Sequence, residues 1–332
     1  MSEPDIFEQS GLFGGLTEGD ASEARRAFQA LEMRAGARLL IEGEAEATIS
    51  YVVTGHLVAT LKGTLLGRIG PAETVGEMAM FGSVDRRSAT VVTETVVRLL
   101  QLDAERVRAL RMRDNLVLQR LETHAMRTVA QRLRRSDTRI VELASPEGKQ
   151  EPSASGLFAR LAAGLGLGRG GGLPTTPPPR PVAVLRNTPG FAMREEAALD
   201  RLAARFEGVP FAEGAVVVAE GEPPGDVFIV AEGRVAVFRN VAERRVKRIA
   251  ELGPGHVVGA VALADDGSRS STVRALQPSW LLRIGPADFR LLESHLGAEG
   301  RAFRRGMVDA LSAQLRLANE RIHRLADVGG HG

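Results

Sequence analysis

Residues 76–92, GEMAMFGSVDRRSATVV, place a glycine, a carboxylate and an arginine at a spacing that suits a small anionic ligand. Residues 77–81 are predicted to form a short helical turn, whose first backbone N–H groups are unpaired and can bind an anion that Gly76 lets approach closely. Arg87 can add a bidentate clamp on a phosphate. Glu77 beside this clamp suits a hydroxyl donor. The stretch therefore predicts a pocket for a sugar phosphate, and the alternative is a plain surface ion pair.

No catalytic or metal-binding constellation accompanies this stretch. The chain has no cysteine, and its six histidines show no metal-ligand spacing and no plausible nucleophile beside them. Residues 166–171 satisfy the pattern G-x-G-x-x-G, but they follow no predicted strand and lead into prolines, which favours a linker. We therefore expect no enzymatic activity, no metal and no cofactor.

Length and composition indicate two ordinary globular domains. The chain of 332 residues exceeds one typical core, and 43 basic residues nearly balance 41 acidic ones, for a net charge of +2. This balance requires no nucleic acid partner. The start, MSEPDIFEQS, lacks the blocks of a signal peptide, and no stretch approaches the roughly 18 apolar residues of a membrane span. We expect a cytoplasmic protein without a membrane span.

The sequence repeats itself on either side of a segment with a different composition. Residues 36–61 align with 214–238, since both begin Gly-Ala, share Glu-Gly-Glu and end in an alternating strand pattern. Glycine, proline, serine and threonine dominate between the copies, which indicates a linker that is flexible near Gly170 to Gly172. The predicted boundaries are a first domain at 1–145, a linker at 146–189 and a second domain at 190–332.

Each copy is predicted to be a β unit that ends in helix. Short runs rich in Val, Ile and Leu between turn residues indicate an antiparallel barrel or sandwich. Apolar residues then recur at multiples of three and four, which places them in one stripe on a helix. The stripes contain Leu121, Ala125, Val129, Leu133 and Ile140 in the first copy and Phe303, Met307, Leu311, Leu315, Ile322 and Leu325 in the second. Such stripes often pair, so a homodimer through the C-terminal helices is one expectation, and packing of each stripe on its own barrel is the alternative.

The cassette of Gly-Glu, an apolar turn and Arg-Ser-Ala-Thr-Val, followed in order by strand and long helix, resembles the cyclic-nucleotide-binding domains, closely those of bacterial catabolite-activator type. This resemblance implies a mainly β fold with flanking helices: two antiparallel jelly-roll β-barrels, each closed by C-terminal helices. In this family the glutamate holds the ribose 2′-hydroxyl, the arginine holds the cyclic phosphate, and polar residues of the long helix cap the base. Carried over by motif position, the binding residues are Gly76, Glu77, Met78, Arg87, Ser88, Ala89, Ser136 and Asp137.

The identity of the base stays open at this point. Asp137 could accept from the amino group of adenine or from the two adjacent N–H donors of guanine, and Ser88 could serve the 2-amino group of guanine. Only the resemblance to the activators favours cAMP over cGMP.

The second copy departs from the cassette at one position. It keeps Gly259, Arg269 and Ser270, but Ala260 stands where the glutamate should be. Losing a charge-assisted hydrogen bond costs about 1.5 to 3 kcal/mol, so we expect a weak or silent second site. The positions that correspond to the capping pair are Ala318 and Asn319.

The leading hypothesis is a cytoplasmic cyclic-nucleotide receptor that signals through a protein partner. We expect no DNA-reading module after either copy, and the tandem order resembles that of the regulatory subunits of cAMP-dependent kinases. The alternative is a scaffold or dimerising protein that uses the same fold and binds no nucleotide. The intact Glu77 and Arg87 argue for the receptor, and the altered second cassette argues for the scaffold.

Overall fold

The computed structural model describes residues 6–45, 47–84, 86–111, 115–144, 150–152, 172–188, 190–191, 196–242 and 245–329. Two units of the same architecture follow each other, and each ends in a long helix. The first unit contains helices α1 Ile6–Gln9 and α2 Glu18–Ala27, strands β1 Gln29–Met33, β2 Arg38–Leu40, β3 Thr48–Thr54, β4 Leu57–Leu61, β5 Thr64–Ile69 and β6 Thr74–Val75, helix α3 Glu77–Phe81, strands β7 Thr90–Thr93 and β8 Val97–Asp103, and helices α4 Ala104–Arg111 and α5 Leu116–Leu143.

The second unit repeats this order after a short strand and two helices. Its elements are β9 Gln150–Pro152, α6 Pro181–Asn187, α7 Glu196–Ala203, β10 Glu207–Phe211, β11 Val216–Val218, β12 Val227–Glu232, β13 Val235–Ala242, β14 Arg245–Leu252, β15 Val257–Val258, α8 Ala260–Ala264, β16 Thr272–Ala275, β17 Ser279–Ile284, α9 Pro286–Ser294 and α10 Ala298–Gly329.

Two antiparallel sheets form each unit. They have the orders β1-β8-β3-β6 and β2-β7-β4-β5 in the first unit, and β10-β17-β12-β15 and β11-β16-β13-β14-β9 in the second. The predicted mainly β, jelly-roll fold with closing helices is therefore confirmed. The sheets form two layers rather than closed barrels, because strands that are neighbours in sequence, such as β5 and β6, lie at the edges of different sheets.

The long helices α5 and α10 pack against each other. Helix α5 begins where the Asn115 side chain accepts from the N–H of Leu118 at 3.0 Å, which caps its first turn. All five predicted stripe residues of α5 are buried, and so are those of α10 except Leu325, which is partly buried. A fully buried ion pair crosses the seam, with Arg304 Nε 3.0 Å from Glu122 Oε2.

This seam changes the interpretation of the stripes. The sequence predicts stripes that pair in a homodimer or pack on their own barrels, whereas in the structure α5 and α10 contact each other within one chain and the stripe residues belong to one hydrophobic core. The reason is that the two units each contribute one amphipathic helix to a shared core. One chain therefore pairs its own two helices. Homodimerisation itself stays a prediction.

Part of the predicted linker 146–189 is folded onto the second unit. Helix α6 starts with Pro181 at its first turn, a position where the missing proline N–H costs nothing. The indole N–H of Trp280 donates to the carbonyl oxygen of Thr176 at 3.1 Å. The composition of this segment predicted a linker and did not indicate the helix α6 or the anchored stretch within 172–188. Residues 170 and 171 of the predicted flexible point lie outside the described residues.

Candidate ligand-binding pockets

The first pocket is a cavity of about 130 Å³ between the strands of the first unit and helices α3, α5 and α10. Strands β2, β4, β5 and β7 supply apolar walls, and the start of α3 and residues 87–89 supply the polar end. Seven of the eight residues predicted for this site line it: Gly76, Glu77, Met78, Arg87, Ser88, Ala89 and Ser136. The sequence pattern therefore located the pocket.

Gly76 and Arg87 form a tightly packed corner of the first pocket. Gly76 has φ of 92°, and a Cβ there would lie 2.3 Å from the carbonyl oxygen of Thr48 and 2.7 Å from Arg87 Nη1, so only glycine fits. Arg87 Nη1 donates to the Thr48 carbonyl at 3.0 Å, and Nη2 donates to the Thr48 hydroxyl at 2.8 Å. These contacts hold the buried guanidinium in place beside the first turn of α3. A fixed cation at the start of a helical turn suits a phosphate.

Glu77 is 1% exposed and lines the first pocket, and its two carboxylate oxygens have different surroundings. Oε1 accepts from Arg132 Nη1 at 2.8 Å, whereas Oε2 is buried and has no hydrogen-bond partner within the described residues. Burial raises the pKa of Glu77, and the positive charge of Arg132 opposes this shift. An unpaired buried acceptor is costly, so the site is complete only when a donor reaches it. A ligand hydroxyl has the required chemistry.

Arg132 of α5 is a site residue that the sequence interpretation missed. Besides Glu77, it contacts the carbonyl oxygen of Thr74 through Nη2 at 2.6 Å and Glu73 Oε2 at 3.4 Å. It thus connects the long helix directly to the carboxylate of Glu77. A signal was present, because Arg132 lies four residues before Ser136 and therefore on the same helix face.

The distal end of the first pocket is formed by both long helices. Ser136 of α5 and Asn319 of α10 line it, and the Ser136 hydroxyl lies 3.4 Å from Asn319 Oδ1. Asp137, which sequence analysis placed here, lines the second pocket instead. The correction has a simple cause, since successive side chains of an α-helix point about 100° apart. Ser136 and Asp137 therefore face different units.

The second pocket is a cavity of about 220 Å³ at the matching place in the second unit. Gly259, Ala260, Arg269 and Ser270 all line it, as predicted. Gly259 has φ of 86°, and a Cβ there would lie 2.6 Å from Arg269 Nη1. Arg269 donates to the carbonyl oxygens of Gly259 at 2.6 Å and Asp226 at 2.8 Å. The phosphate corner is thus built as in the first pocket.

The rest of the second pocket differs by a coordinated set of changes. Ala260 replaces the glutamate, and Gln314 stands at the position of Arg132 and donates to the carbonyl oxygen of Val257 at 2.5 Å. Both members of the buried ion pair are therefore replaced together. At the distal end, Ala318 of α10 and Asp137 of α5 line the cavity. Burial raises the pKa of Asp137 to about 7, against the opposing charges of Arg239 and Arg134.

Each cassette is also held by the long helix of the other unit. Arg134 of α5 makes a bidentate ion pair with Asp265 at the end of α8, at 2.6 and 2.9 Å, and donates to the carbonyl oxygen of Ser268 at 2.8 Å. In the first unit, Asp309 of α10 accepts from the N–H of Ser83 at 2.5 Å. The cassette of each unit is therefore in direct contact with the long helix of the other unit.

The part of the chain that the structure describes offers neither a metal site nor a membrane-spanning helix. Groups of three or more side chains that could hold a metal ion are absent from it. None of its helices combines the length and the apolar character that crossing a membrane requires.

Comparison with known sequences agrees with this geometry. The family model of the cyclic nucleotide-binding domain matches residues 30–114 and 209–294, just over half of the chain. Both matched ranges contain a sandwich and its cassette. The chain belongs to this family. It contains two such domains. The cassette of the first domain has Glu77, whereas the cassette of the second has Ala260 at the matching position.

Individual relatives match only parts of the chain. The cGMP-dependent protein kinase egl-4 of Caenorhabditis elegans is 30% identical over 125 residues, 36% of this chain and 15% of the kinase. The Cyclic AMP receptor protein of Thermus thermophilus is 26% identical over 108 residues, 32% of this chain and 50% of that protein. The regulatory domain of Toxoplasma gondii PKA with cAMP is 18% identical, with 88% of this chain and 90% of that chain covered and a TM-score of 0.30. The chain spans at most half of the two curated relatives.

Proposed function

We propose that this protein is a receptor for a purine cyclic nucleotide, which binds in the first pocket and controls a protein partner. The observation that carries the proposal is the buried, unpaired Oε2 of Glu77 beside the fixed guanidinium of Arg87. A cyclic ribose phosphate places a 2′-hydroxyl and an anionic phosphate next to each other. It would supply a donor to Glu77 and an anion to Arg87 at once.

The distal end of the first pocket suits a purine base, and the preference for cAMP rests on the resemblance of the cassette to the catabolite-activator type. Asn319 carries an acceptor oxygen and a donor nitrogen side by side, and this pair matches the amino group and the adjacent ring nitrogen of adenine. Guanine presents an equivalent pair, because its N1–H donor lies beside its O6 acceptor, so Asn319 can pair with either purine. Ser136 can donate or accept, so it tolerates either base.

The signal would leave the first pocket through α5. A hydroxyl bound to Glu77 acts on the carboxylate that already holds Arg132, and Arg132 belongs to the helix that packs on α10. Arg134 continues this connection to the second cassette. The nucleotide need only bind two arrangements of these helices unequally to shift their populations. A cytoplasmic effector protein, rather than an enzymatic reaction of this chain, would read the shift.

Calorimetric titration tests this proposal. The protein is first freed of bound ligand by unfolding and refolding, and is then titrated with cAMP and with cGMP. We expect binding of cAMP to one tight site per chain, its loss in Arg87→Ala, and its retention in the matched variant Arg269→Ala. Retention of the tight site in Arg87→Ala would refute the assigned phosphate clamp. Failure of the wild type to bind either nucleotide would favour the scaffold alternative.

A further inference from the structure

The second pocket retains a complete phosphate corner although its cassette is altered. Arg269 is 6% exposed and is held by two carbonyl oxygens, in the same manner as Arg87. Gly259 keeps the left-handed backbone that brings its carbonyl against this guanidinium. The pocket is also larger than the first, at about 220 against 130 Å³. A decayed site would not be expected to keep a buried cation and a left-handed glycine around an open cavity.

The neighbouring subsite has changed its chemistry rather than merely lost a contact. In the first pocket Arg132 pairs with Glu77. If only the glutamate had been replaced by alanine in the second pocket, an arginine at the position of Gln314 would lack its counter-charge, which is costly. Gln314 occupies that position instead, and its amide nitrogen donates to Val257. The lining therefore offers a methyl group, that of Ala260, where the first pocket offers a carboxylate. A ligand hydroxyl gains no charged acceptor there.

The distal subsite has changed in the opposite direction. Asp137 lines the second pocket and makes no hydrogen bond or ion pair within the described residues. Arg239 lies close enough to influence its charge, but Arg239 itself donates to the carbonyl oxygen of Ser270 and the hydroxyl of Thr138. A carboxylate accepts two hydrogen bonds side by side and donates none when ionised. At a pH above about 7, where Asp137 is ionised, its partner is an edge with adjacent N–H donors.

We infer that the second pocket is a separate binding site for a phosphoester ligand that is selected by its phosphate and by an N–H donor edge, and not by a hydroxyl beside the phosphate. The 3′,5′-cyclic phosphate of 2′-deoxyguanosine is the simplest probe with these features. The second pocket then differs from the first at two subsites around a common phosphate corner: it lacks the carboxylate beside the phosphate and has a carboxylate at the base edge. This inference rests on the proposed function for the shared placement of phosphate and base.

The test is an equilibrium titration of the full chain that carries Arg87→Gln, which removes the phosphate clamp of the first pocket. The probes are the cyclic phosphates of guanosine, 2′-deoxyguanosine and 2′-deoxyadenosine. We expect one site at which the two guanine probes bind within about threefold of each other. The adenine probe should bind about tenfold or more weakly, as for the loss of hydrogen bonds to a charged group. Asp137→Asn should weaken both guanine probes by about tenfold, and Arg269→Gln should remove them.

If the Arg87→Gln protein fails to fold, wild-type protein saturated with cAMP replaces it, since cAMP then fills the first pocket. Three results would each overturn the inference: no binding of either guanine probe, guanine binding unchanged in Asp137→Asn, or a penalty of about tenfold for loss of the 2′-hydroxyl. The titration of wild-type protein with cAMP tests the proposed function of the first pocket separately. Binding of cAMP without any guanine site refutes this inference alone, whereas a guanine site without cAMP binding refutes the proposed function of the first pocket.

Discussion

Replacing Glu77 with glutamine tests whether its unpaired oxygen binds the ribose. Glutamine keeps the shape of the side chain, but only one of its two terminal atoms can accept. Arg132 Nη1 lies 2.8 Å from Oε1 of Glu77 and can only donate, so the single oxygen of the Glu77→Gln side chain stays on Arg132. The amide nitrogen then faces the ligand hydroxyl. The hydroxyl loses its ionised acceptor and keeps at most a neutral contact.

The magnitude follows from this exchange. A hydrogen bond to a charged group contributes about 1.5 to 3 kcal/mol and a neutral one about 0.5 to 1.5 kcal/mol. The difference of about 1 to 2 kcal/mol corresponds to a weakening of cAMP binding by about five- to thirtyfold. The 2′-deoxy form of cAMP carries no hydroxyl at this position, so its affinity should change by less than about threefold.

Four calorimetric titrations measure this effect, with wild type and Glu77→Gln each titrated with cAMP and 2′-deoxy-cAMP. Glu73→Gln is the matched control, because Glu73 also pairs with Arg132, at 3.4 Å, but does not line the first pocket. The control should bind both ligands nearly as the wild type does. Equal weakening of both ligands by Glu77→Gln would refute the assigned contact, since the carboxylate would then act only through the packing of the pocket.

Three further changes test the framework around the pockets. Gly76→Ala should abolish cAMP binding in a titration. It should also lower the stability of the fold by at least about 1 to 2 kcal/mol in thermal melting, because alanine is strained in the left-handed backbone of residue 76. Binding and stability like those of the wild type would contradict the assigned corner. Glu122→Gln should lower the free energy of unfolding by about 3 to 5 kcal/mol in a denaturant titration, because it leaves Arg304 buried without this counter-charge. A loss below about 1 kcal/mol, which is typical of a surface ion pair, would refute the buried seam. The pKa of Asp137 is raised from 3.8 to about 7 in the folded protein, so the folded state holds this proton more tightly. Wild type should therefore lose stability relative to Asp137→Asn as the pH rises between these values, and an unchanged difference in melting temperature would contradict the burial of this carboxyl group.

The sequence was sufficient to predict the β units, their duplication and the polar corner of the first pocket. These features rest on local patterns: alternation in strands, an apolar stripe on a helix, and a cassette whose glycine and arginine meet across a short turn. Gly76, Glu77 and Arg87 lie within one such segment, so their approach is fixed by local geometry. The same reasoning located Gly259 and Arg269.

Features that depend on how the two units meet were not predictable in this way. The stripes on α5 and α10 indicated apolar partners, but a stripe does not show whether its partner is a barrel, a second copy or the other helix of the chain. Ser136 and Asp137 are adjacent in sequence, and only the position of the second unit decides that they line different pockets. The replacement of the Glu77 and Arg132 pair by Ala260 and Gln314 is likewise visible only once the side chains are seen in contact.

The most direct test of the central claim is a crystal structure of the protein with cAMP. The account predicts one nucleotide in the first pocket, with its phosphate at Arg87, its 2′-hydroxyl within hydrogen-bond distance of Glu77, and its adenine between Ser136 and Asn319. Occupancy of the second pocket alone, or a nucleotide in the first pocket whose ribose does not contact Glu77, would contradict it.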